Sequence, residues 1–249
     1  MQITTMRLVL RTVRVGEADQ ILTILSPDKG LISASARGSL RLKNKLFSGC
    51  GLFCYSEFTL TTGRKSSFVD AATVVRVFHG LSKTVEGMAL AAYLAEMAAA
   101  LAPEPPESAD FLRLMLNTFY MIGEQKRPLL QLKAICELRA MTQTGYMPDV
   151  VACDGCGRYD GCDFYLDPAE GRLLCADCAA KAMRAPNLDP GALYALRHIG
   201  LAEDDKLFNF TLSEPSLKRL GRASEQYLLA HLEYCPKSLE FLKSVLNQE

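Results

Sequence analysis

Two Cys-x-x-Cys pairs are the residues of this chain whose type and spacing could do chemistry. Cys153 and Cys156 form the first pair, and Cys175 and Cys178 form the second after eighteen intervening residues. Four thiolates complete the tetrahedral coordination of one Zn²⁺ ion, and a two-residue gap lets both sulfurs of a pair reach that ion from a tight turn. The spacing therefore predicts a zinc site of the zinc-ribbon type.

The chain between the two pairs is predicted to be a small hairpin. A strand is expected at residues 164–166, a turn at residues 167–171, and a return through Leu173 and Leu174. The zinc is expected to be structural, because four sulfurs leave no open position for a catalytic water. Disulfide bonding or plain burial of the thiols is the alternative, which a chain without secretory features disfavours. Cys162 lies inside the hairpin with poorer spacing and is left out of the predicted ligand set.

The composition is that of a globular protein. The 249 residues are 49% hydrophobic and 22% charged, enough to bury a core without disulfides. Residues 1–6 lack the basic start and apolar run of a signal peptide, and the most apolar stretch, residues 88–102, is too short to span a bilayer. Nine cysteines, an odd number, also fit a reducing compartment. We therefore expect a cytoplasmic protein without membrane contact.

Charge is unevenly distributed along the chain, although the formal net charge is zero. Residues 1–80 carry 11 Lys and Arg against 5 Asp and Glu, a net charge of +6. The remaining residues carry 17 against 23, a net charge of −6. Such asymmetry indicates that the first part of the chain faces a polyanion.

The first 80 residues contain five segments with the pattern of β-strands. Period-two alternation is clearest where Met6, Leu8 and Leu10 are interleaved with Arg7 and Val9, and a turn is expected to begin at Val13. The predicted strands are residues 6–11, 19–25, 31–36, 52–62 and 68–78. Five short strands separated by turns predict a small closed or partly closed barrel, and the oligonucleotide-binding (OB) fold is the five-stranded member of that class.

The segment between the third and fourth predicted strands is basic. No Asp or Glu occurs in residues 29–56, and Gly38 and Ser39 predict a mobile loop. Basic loops on a barrel suit phosphate contact, and OB folds add aromatic side chains on which bases stack. The basic residues of this segment and of the next turn are Arg37, Arg41, Lys43, Lys45, Arg64 and Lys65. The nearby stacking candidates are Phe47, Phe53 and Tyr55, and the alternatives are solvated loop charges and core aromatics.

Residues 81–249 change to helical spacing of apolar side chains. Ser108 is predicted to be an N-cap, Pro128 a helix start and Gly145 a C-cap. The predicted helices are residues 81–101, 111–122, 129–141, 178–183, 190–199, 215–231 and 237–246. We therefore predict an α+β protein with an OB-fold, nucleic-acid-binding domain at residues 1–80 and a helical domain at residues 81–249, which a zinc hairpin at residues 150–180 interrupts.

This order of basic barrel, helical bundle and four-cysteine hairpin resembles the RecO family of bacterial recombination mediators. Residues 15–22 (VGEADQIL) resemble the start of the family's second strand, and residues 30–38 (GLISASARG) resemble its third strand and basic loop. Residues 145–148 (GYMP) resemble the lead into its zinc hairpin. Residues 231–233 (HLE) with 237–242 (KSLEFL) resemble its C-terminal helix. The resemblance runs the whole length of the chain.

The resemblance implies binding of single- and double-stranded DNA, annealing of complementary strands, and partnership with RecR. In the family this complex helps displace single-stranded DNA-binding protein so that RecA can load. By position, the six basic residues named above would inherit the DNA contact, and one Zn²⁺ would be structural, since some members lack the cysteines. The family's pocket for the acidic, Phe-ending tail of single-stranded DNA-binding protein lies in the helical domain. A cytoplasmic, nucleoid-associated protein is implied.

Three classes of function are candidates for this chain. A binding and annealing protein needs no nucleophile, and His79, His198 and His231 lie outside catalytic motifs, while no Walker loop is present. A zinc deaminase would need a His-x-Glu before a cysteine pair and an open metal position, and the sequence has neither arrangement. A zinc-stabilised protein-interaction adaptor without direct DNA contact is the remaining alternative. We predict a DNA-binding mediator that is not an enzyme.

Overall fold

The computed structural model describes residues 2–63 and 66–246. The chain forms two compact units, of which the first combines Met1–Glu124 with Pro236–Glu249 and the second is Gln125–Cys235. The predicted boundary at residue 80 lies inside the first unit, so the division there stays a prediction. No helix among the described residues is both long enough and apolar enough to cross a membrane.

Five strands of the first unit form a closed barrel. They are β1 (Gln2–Val15), β2 (Asp19–Ser26), β3 (Gly30–Ala36), β4 (Cys54–Thr62) and β5 (Ser67–Val77). Their order around the barrel is β1-β2-β3-β5-β4, and β4 closes on β1. The β3–β5 pair is parallel, and the other pairs are antiparallel. The predicted five-stranded OB barrel is confirmed.

Apolar side chains from one face of every strand fill the barrel, because successive side chains of a strand point to opposite faces. Leu46 and Cys50 join this interior from the segment between β3 and β4, so that segment is packed onto the barrel by its own side chains. The remaining interior residues are Val9, Leu22, Ile24, Ala34, Ala36, Phe58, Leu60, Val69 and Ala72.

β1 continues past the position where the sequence predicts a turn. Val13 pairs with Ile21 of β2, and Val15 pairs with Asp19. The chain turns only at Gly16, which has a φ of 64°. Glycine adopts this left-handed conformation without steric cost, so the turn forms there and β1 and β2 remain paired up to it.

Helices cover the rest of the first unit. A short 3-10 helix (His79–Lys83) is followed by α1 (Val85–Leu101) and α2 (Ser108–Glu124). The last helix of the chain, Lys237–Val245, also belongs to this unit. The predicted helix start at Leu81 is wrong, because Thr84 is extended and its Oγ1 accepts a hydrogen bond from the Gly87 N–H at 3.0 Å. The final helix is anchored to α1, since the N–H groups of Lys237 and Ser238 donate to the Glu96 carboxylate at 3.1 and 3.0 Å.

The second unit consists of helices and a small sheet. The helices of this unit are α3 (Leu129–Gln143), α4 (Ala176–Lys181), α5 (Pro190–Leu201) and α6 (Glu214–His231). The helix Lys237–Val245, which belongs to the first unit, is numbered α7. The sheet has the order β6-β8-β7, from β6 (Asp149–Cys153), β7 (Phe164–Leu166) and β8 (Arg172–Cys175). The predicted hairpin strands are confirmed, whereas β6, which pairs in parallel with β8, is an addition that the sequence did not predict.

Candidate metal centre and candidate nucleic-acid interface

The four cysteines of the two pairs come together beside the small sheet. β6 ends at Cys153 and β8 at Cys175, while the turn after β6 carries Cys156 and α4 carries Cys178. Their Sγ atoms all lie within 4.8 Å of one another, and those of Cys156 and Cys175 are 3.6 Å apart. A tetrahedral site with Zn–S bonds of about 2.3 Å places its sulfurs about 3.8 Å apart. The cluster therefore has the dimensions of a four-thiolate metal site.

The backbone of the first pair brings the sulfurs together. The Gly157 N–H donates to the Cys153 carbonyl at 2.8 Å, which closes the turn. The Cys175 N–H donates to Cys153 Sγ at 3.2 Å and links the two pairs. A Cβ at Gly155 would lie 3.1 Å from Cys178 Sγ, so a larger residue there would press on the cluster. Both the turn and the absence of a side chain at Gly155 thus serve the cluster.

The four thiols influence one another electrostatically. Burial raises the pKa of Cys153, but hydrogen bonds from the N–H groups of Cys175 and Gly155 and from the Cys156 thiol outweigh it and lower the pKa to about 6. Hydrogen bonds to the neighbouring sulfurs, first that of Cys156, raise the pKa of Cys178 to about 12. Adjacent thiolates repel, so a cation is needed for all four to ionise together. This donor set fits a tetrahedral thiophilic ion such as zinc or iron.

Cys162 is not a member of the four-cysteine cluster. Its sulfur accepts a hydrogen bond from Arg158 Nη1 at 3.8 Å, and the same nitrogen donates to the Asp177 carboxylate at 2.8 Å. Arg158 therefore closes the loop of the hairpin from outside the cluster.

The exposed cations of the hairpin are paired with carboxylates. We call Arg158, Arg172 and Arg219 the hairpin cations, because Arg158 and Arg172 lie in the hairpin and Arg219 of α6 reaches it. The pairs are Arg158–Asp177 at 2.8 Å, Arg172–Glu170 at 2.5 Å, Arg172–Asp154 at 3.3 Å and Arg219–Asp163 at 3.0 Å. The positive charge of this surface is therefore largely cancelled.

Arg197 of α5 fastens the hairpin to the helices of the second unit, a role that sequence analysis missed. Its Nε donates to the Val150 carbonyl at 2.8 Å, and its Nη2 donates to the carbonyls of Val151 and Tyr159 at 2.9 and 2.6 Å. Its guanidinium carbon lies 3.9 Å from the centroid of the Tyr159 ring. The sequence held one clue to this role, because Arg197 lies on the apolar stripe of the helix predicted at residues 190–199.

The predicted nucleic-acid contacts that the structure describes lie in one exposed segment, residues 37–45, which we call the basic segment. Arg37, Arg41, Lys43 and Lys45 are all exposed. Within residues 2–63 and 66–246, none of these four side chains forms an ion pair. The other two predicted contacts, Arg64 and Lys65, lie outside the described residues.

The base of the basic segment is tied to the barrel. The Gly38 N–H donates to the Asp19 carboxylate at 2.7 Å, and the Leu40 N–H donates to the Ala18 carbonyl at 2.9 Å. Immediately beyond the segment, Leu46 enters the barrel interior. The predicted loop is therefore a run of hydrogen-bonded turns, and the cations are displayed from a defined backbone.

The aromatic side chains near the basic segment differ in position. Phe53 is only 4% exposed, and its ring lies 5.1 Å from that of Phe119, which agrees with the core alternative. Phe47 is exposed, whereas Tyr55 is partly buried and burial raises its pKa. Sequence analysis did not single out Phe68, whose ring centroid lies 4.9 Å from the guanidinium carbon of Arg37.

These features define a class of protein. The class is an OB-barrel protein with an acid-free basic segment on the barrel and, in its helical part, a hairpin that clusters four cysteines.

Comparison with known families identifies the particular family. The N-terminal model of recombination protein O matches residues 1–78, and the C-terminal model matches residues 83–240. The chain therefore belongs to the recombination protein O (RecO) family, and the resemblance seen in the sequence is confirmed.

Similar proteins match over nearly their whole length, and each is named DNA repair protein RecO. The one from Acetivibrio thermocellus is 33% identical, over 97% of this chain and 96% of its own. The one from Desulforudis audaxviator is 30% identical, over 98% and 97%. The one from Symbiobacterium thermophilum is 29% identical, over 96% and 95%.

Proposed function

We propose that this protein is a DNA-binding recombination mediator in DNA repair, which binds single- and double-stranded DNA and anneals complementary strands. The observation that carries the proposal is the basic segment, whose exposed cations form no ion pair among the described residues and lie in an acid-free stretch of an OB barrel. A cation without a carboxylate partner is available to neutralise a phosphate and release its counterion. The names of the similar proteins support the same role.

Phosphate contact without base reading also suits annealing. Arg37, Arg41, Lys43 and Lys45 would contact the backbone, and Arg64 and Lys65 would extend that surface. Repulsion between phosphates opposes the approach of two strands, and bound cations reduce it. Because phosphate contacts carry no sequence information, the base edges stay available for pairing.

The cysteine cluster has a separate task in this proposal. Cys153, Cys156, Cys175 and Cys178 would hold one Zn²⁺ that stabilises the hairpin, and the thiolates would fill all four of its positions. The ion would thus supply folding free energy, and the protein would act as a mediator and not as an enzyme.

The family resemblance supports the proposed partners. These are RecR, the acidic C-terminal tail of single-stranded DNA-binding protein, and, indirectly, RecA, which the complex would help to load onto coated DNA. The proposed location is the cytoplasm, in association with the nucleoid.

Salt dependence tests the DNA contact directly. The affinity of the full chain for a fluorescent single strand and for a duplex is measured by anisotropy across a range of salt concentrations, in parallel with an annealing assay. The variant Arg41→Ala/Lys43→Ala/Lys45→Ala should flatten the plot of log affinity against log salt by about two to three units, roughly one for each lost phosphate contact.

The hairpin cations provide the matched control. Arg158→Ala/Arg172→Ala/Arg219→Ala also removes three positive charges, but each already has a carboxylate partner, so the salt slope should stay that of the parent chain. If the basic-segment variant binds and anneals like the parent at every salt concentration, the DNA contact is not there. A zinc-stabilised adaptor without direct DNA contact would then be the better account.

A further inference from the structure

Large apolar side chains gather around the exposed side of α5 in the second unit. Tyr194 and Leu201 lie seven residues apart, about two helical turns, so they share one stripe of the helix. They are 72% and 64% exposed. Neighbouring parts of the chain add three more exposed apolar side chains. We call the five residues the α5 face: Met147, Val151, Tyr159, Tyr194 and Leu201.

Contacts with α5 bring the other members of the face to the same stripe. Arg197 lies between the two stripe residues, and its Nη2 donates to the carbonyls of Val151 and Tyr159 at 2.9 and 2.6 Å. The Tyr159 ring stacks on its guanidinium group. A Cβ at Gly200 would lie 3.1 Å from Met147 Cε. Single exposed apolar side chains are ordinary, but a group that includes two tyrosines is typical of a protein interaction surface.

The edge of the α5 face is acidic. Asp149 lies beside the face, because its Oδ1 accepts a hydrogen bond from the Val151 N–H at 3.2 Å. Arg158, which adjoins Tyr159, is paired with Asp177 at 2.8 Å. Such an edge repels an acidic peptide or a nucleic acid and attracts a basic partner. The exposed acids within four residues of a face residue that form no ion pair in residues 2–63 and 66–246 are Asp149, Asp160 and Asp205.

The basic segment of the same chain has the complementary features. Leu42 is 80% exposed and lies between Arg41 and Lys43, in a stretch without acid. An apolar side chain flanked by cations matches an apolar face with an acidic edge. The formal net charge of the whole chain is zero, so copies of the chain repel one another little.

We propose that the α5 face is an interface for a second copy of this chain, whose basic segment docks on it through Leu42 and the flanking cations. The contact is head-to-tail, since one copy supplies the segment and the other supplies the face. Its small size makes the association transient. The inference goes beyond the proposed function, but its consequence for DNA rests on that function: a basic segment held by another copy is not available to phosphates, so DNA and the second copy compete.

Sedimentation equilibrium of the full chain in zinc-containing buffer tests the interface. The average mass of the parent should rise with protein concentration and fall when salt is raised, because salt screens the charges at the edge. Leu42→Gln removes the apolar anchor but keeps every cation of the segment. Tyr194→Gln/Leu201→Gln removes the centre of the face but keeps the segment. Each variant alone should associate about 10- to 30-fold more weakly than the parent, as loss of a central interface residue does.

A mixture of the two variants tests the head-to-tail arrangement. The first variant still has an intact face and the second still has an intact segment. The equimolar mixture should therefore form one-to-one dimers and nothing larger, although neither variant associates alone. If two α5 faces met each other instead, Leu42→Gln would associate like the parent and the mixture would form no new dimer. That result would overturn the proposed occupant.

Val85→Gln is the matched control, because Val85 is a 61% exposed apolar residue of α1, in the other unit of the chain. It should associate like the parent. Thermal unfolding followed by circular dichroism checks that each variant is folded.

Addition of a short single-stranded oligonucleotide separates this inference from the proposed function. A saturating amount should return the parent to a monomer. If the oligonucleotide binds and the copies stay associated, the competition is overturned. If the parent is monomeric at every concentration while it binds the oligonucleotide, the interface is overturned and the proposed DNA binding stands. If the variants complement each other but no oligonucleotide binds, the interface stands and the proposed function falls.

Discussion

The basic segment of the barrel and the cysteine hairpin both display cations, but the two regions differ in what surrounds those charges. Arg41, Lys43 and Lys45 lie in a stretch without acid and form no ion pair among the described residues. Arg158 and Arg172 of the hairpin are instead within 2.8 and 2.5 Å of the carboxylates of Asp177 and Glu170. The two regions therefore differ in whether their cations are paired with carboxylates, and the number of positive charges does not explain that difference.

Pairing matters more for binding than for stability. An exposed ion pair stabilises a protein by only about 0–1 kcal/mol, so the hairpin pairs contribute little to its fold. They do cancel the charge that an approaching phosphate would meet. In the proposed function the two regions have a division of labour, in which the barrel would contact DNA and the hairpin would stabilise the helical unit that carries it.

Metal removal is the test with the largest expected effect. A chelator, or Cys175→Ser, should remove ~10 kcal/mol or more of folding free energy from the second unit, as structural zinc supplies in small zinc domains. That amount is comparable to the whole stability of an ordinary domain, so helical circular dichroism should fall. DNA binding by the barrel should persist in part, as measured by anisotropy alongside the metal content.

Cys162→Ser is the matched control for the metal experiment, because Cys162 lies in the same hairpin but outside the cluster. It should retain the metal and the helical signal. Loss of DNA binding on chelation while the helices stay folded would contradict the division of labour, since the hairpin itself would then be the contact surface.

A smaller effect is expected at Arg197, which holds the hairpin without touching the sulfurs. Arg197→Met would leave the carbonyls of Val150, Val151 and Tyr159 without their donor, which should cost about 3 kcal/mol of unfolding free energy. Chemical denaturation measures the loss, and a chelator should extract metal faster from the variant. Arg184→Met, at an exposed arginine, should change neither quantity. Unchanged metal release from Arg197→Met would show that the hairpin keeps its shape without this anchor.

The contrast between the cysteines and Arg197 shows which parts of the site can be predicted from sequence. The four cysteines form two local pairs, and a two-residue spacing already places both sulfurs of a pair on one turn. Arg197 bonds to carbonyls 38 to 47 residues away, so its role appears only when α5 has packed against β6. An arginine on an apolar helical stripe was a clue, but it did not identify the partner.

The same distinction applies to the fold and to the barrel surface. The strand pattern of the barrel is local and was predicted, whereas β6 depends on a parallel partner 20 to 23 residues away and was missed. Phe53 and Phe68 look alike in the sequence, yet one is buried against Phe119 and the other lies beneath Arg37. Only the strand register brings Val13 and Phe68 into one row, and alternation of side chains alone does not fix that register.

The smallest expected effect tests whether pairing, and not position, separates the two regions. Asp163→Asn/Glu170→Gln removes the partner of Arg219 and the nearer partner of Arg172. If pairing decides, the freed Arg219 should contact a phosphate, and the salt slope of DNA binding should steepen by about one unit, while Arg172 keeps Asp154 as a partner at 3.3 Å.

The matched control for this charge change is Asp205→Asn/Glu233→Gln. Both of these acids are exposed and form no ion pair among residues 2–63 and 66–246, so the control makes the same change in net charge without freeing a cation. Its salt slope should match that of the parent chain. A steeper slope in both variants would point to a general effect of net charge. If both variants keep the salt slope of the parent chain, the hairpin surface is kept from DNA by its position. Position, and not the pairing of charges, would then separate the hairpin from the basic segment.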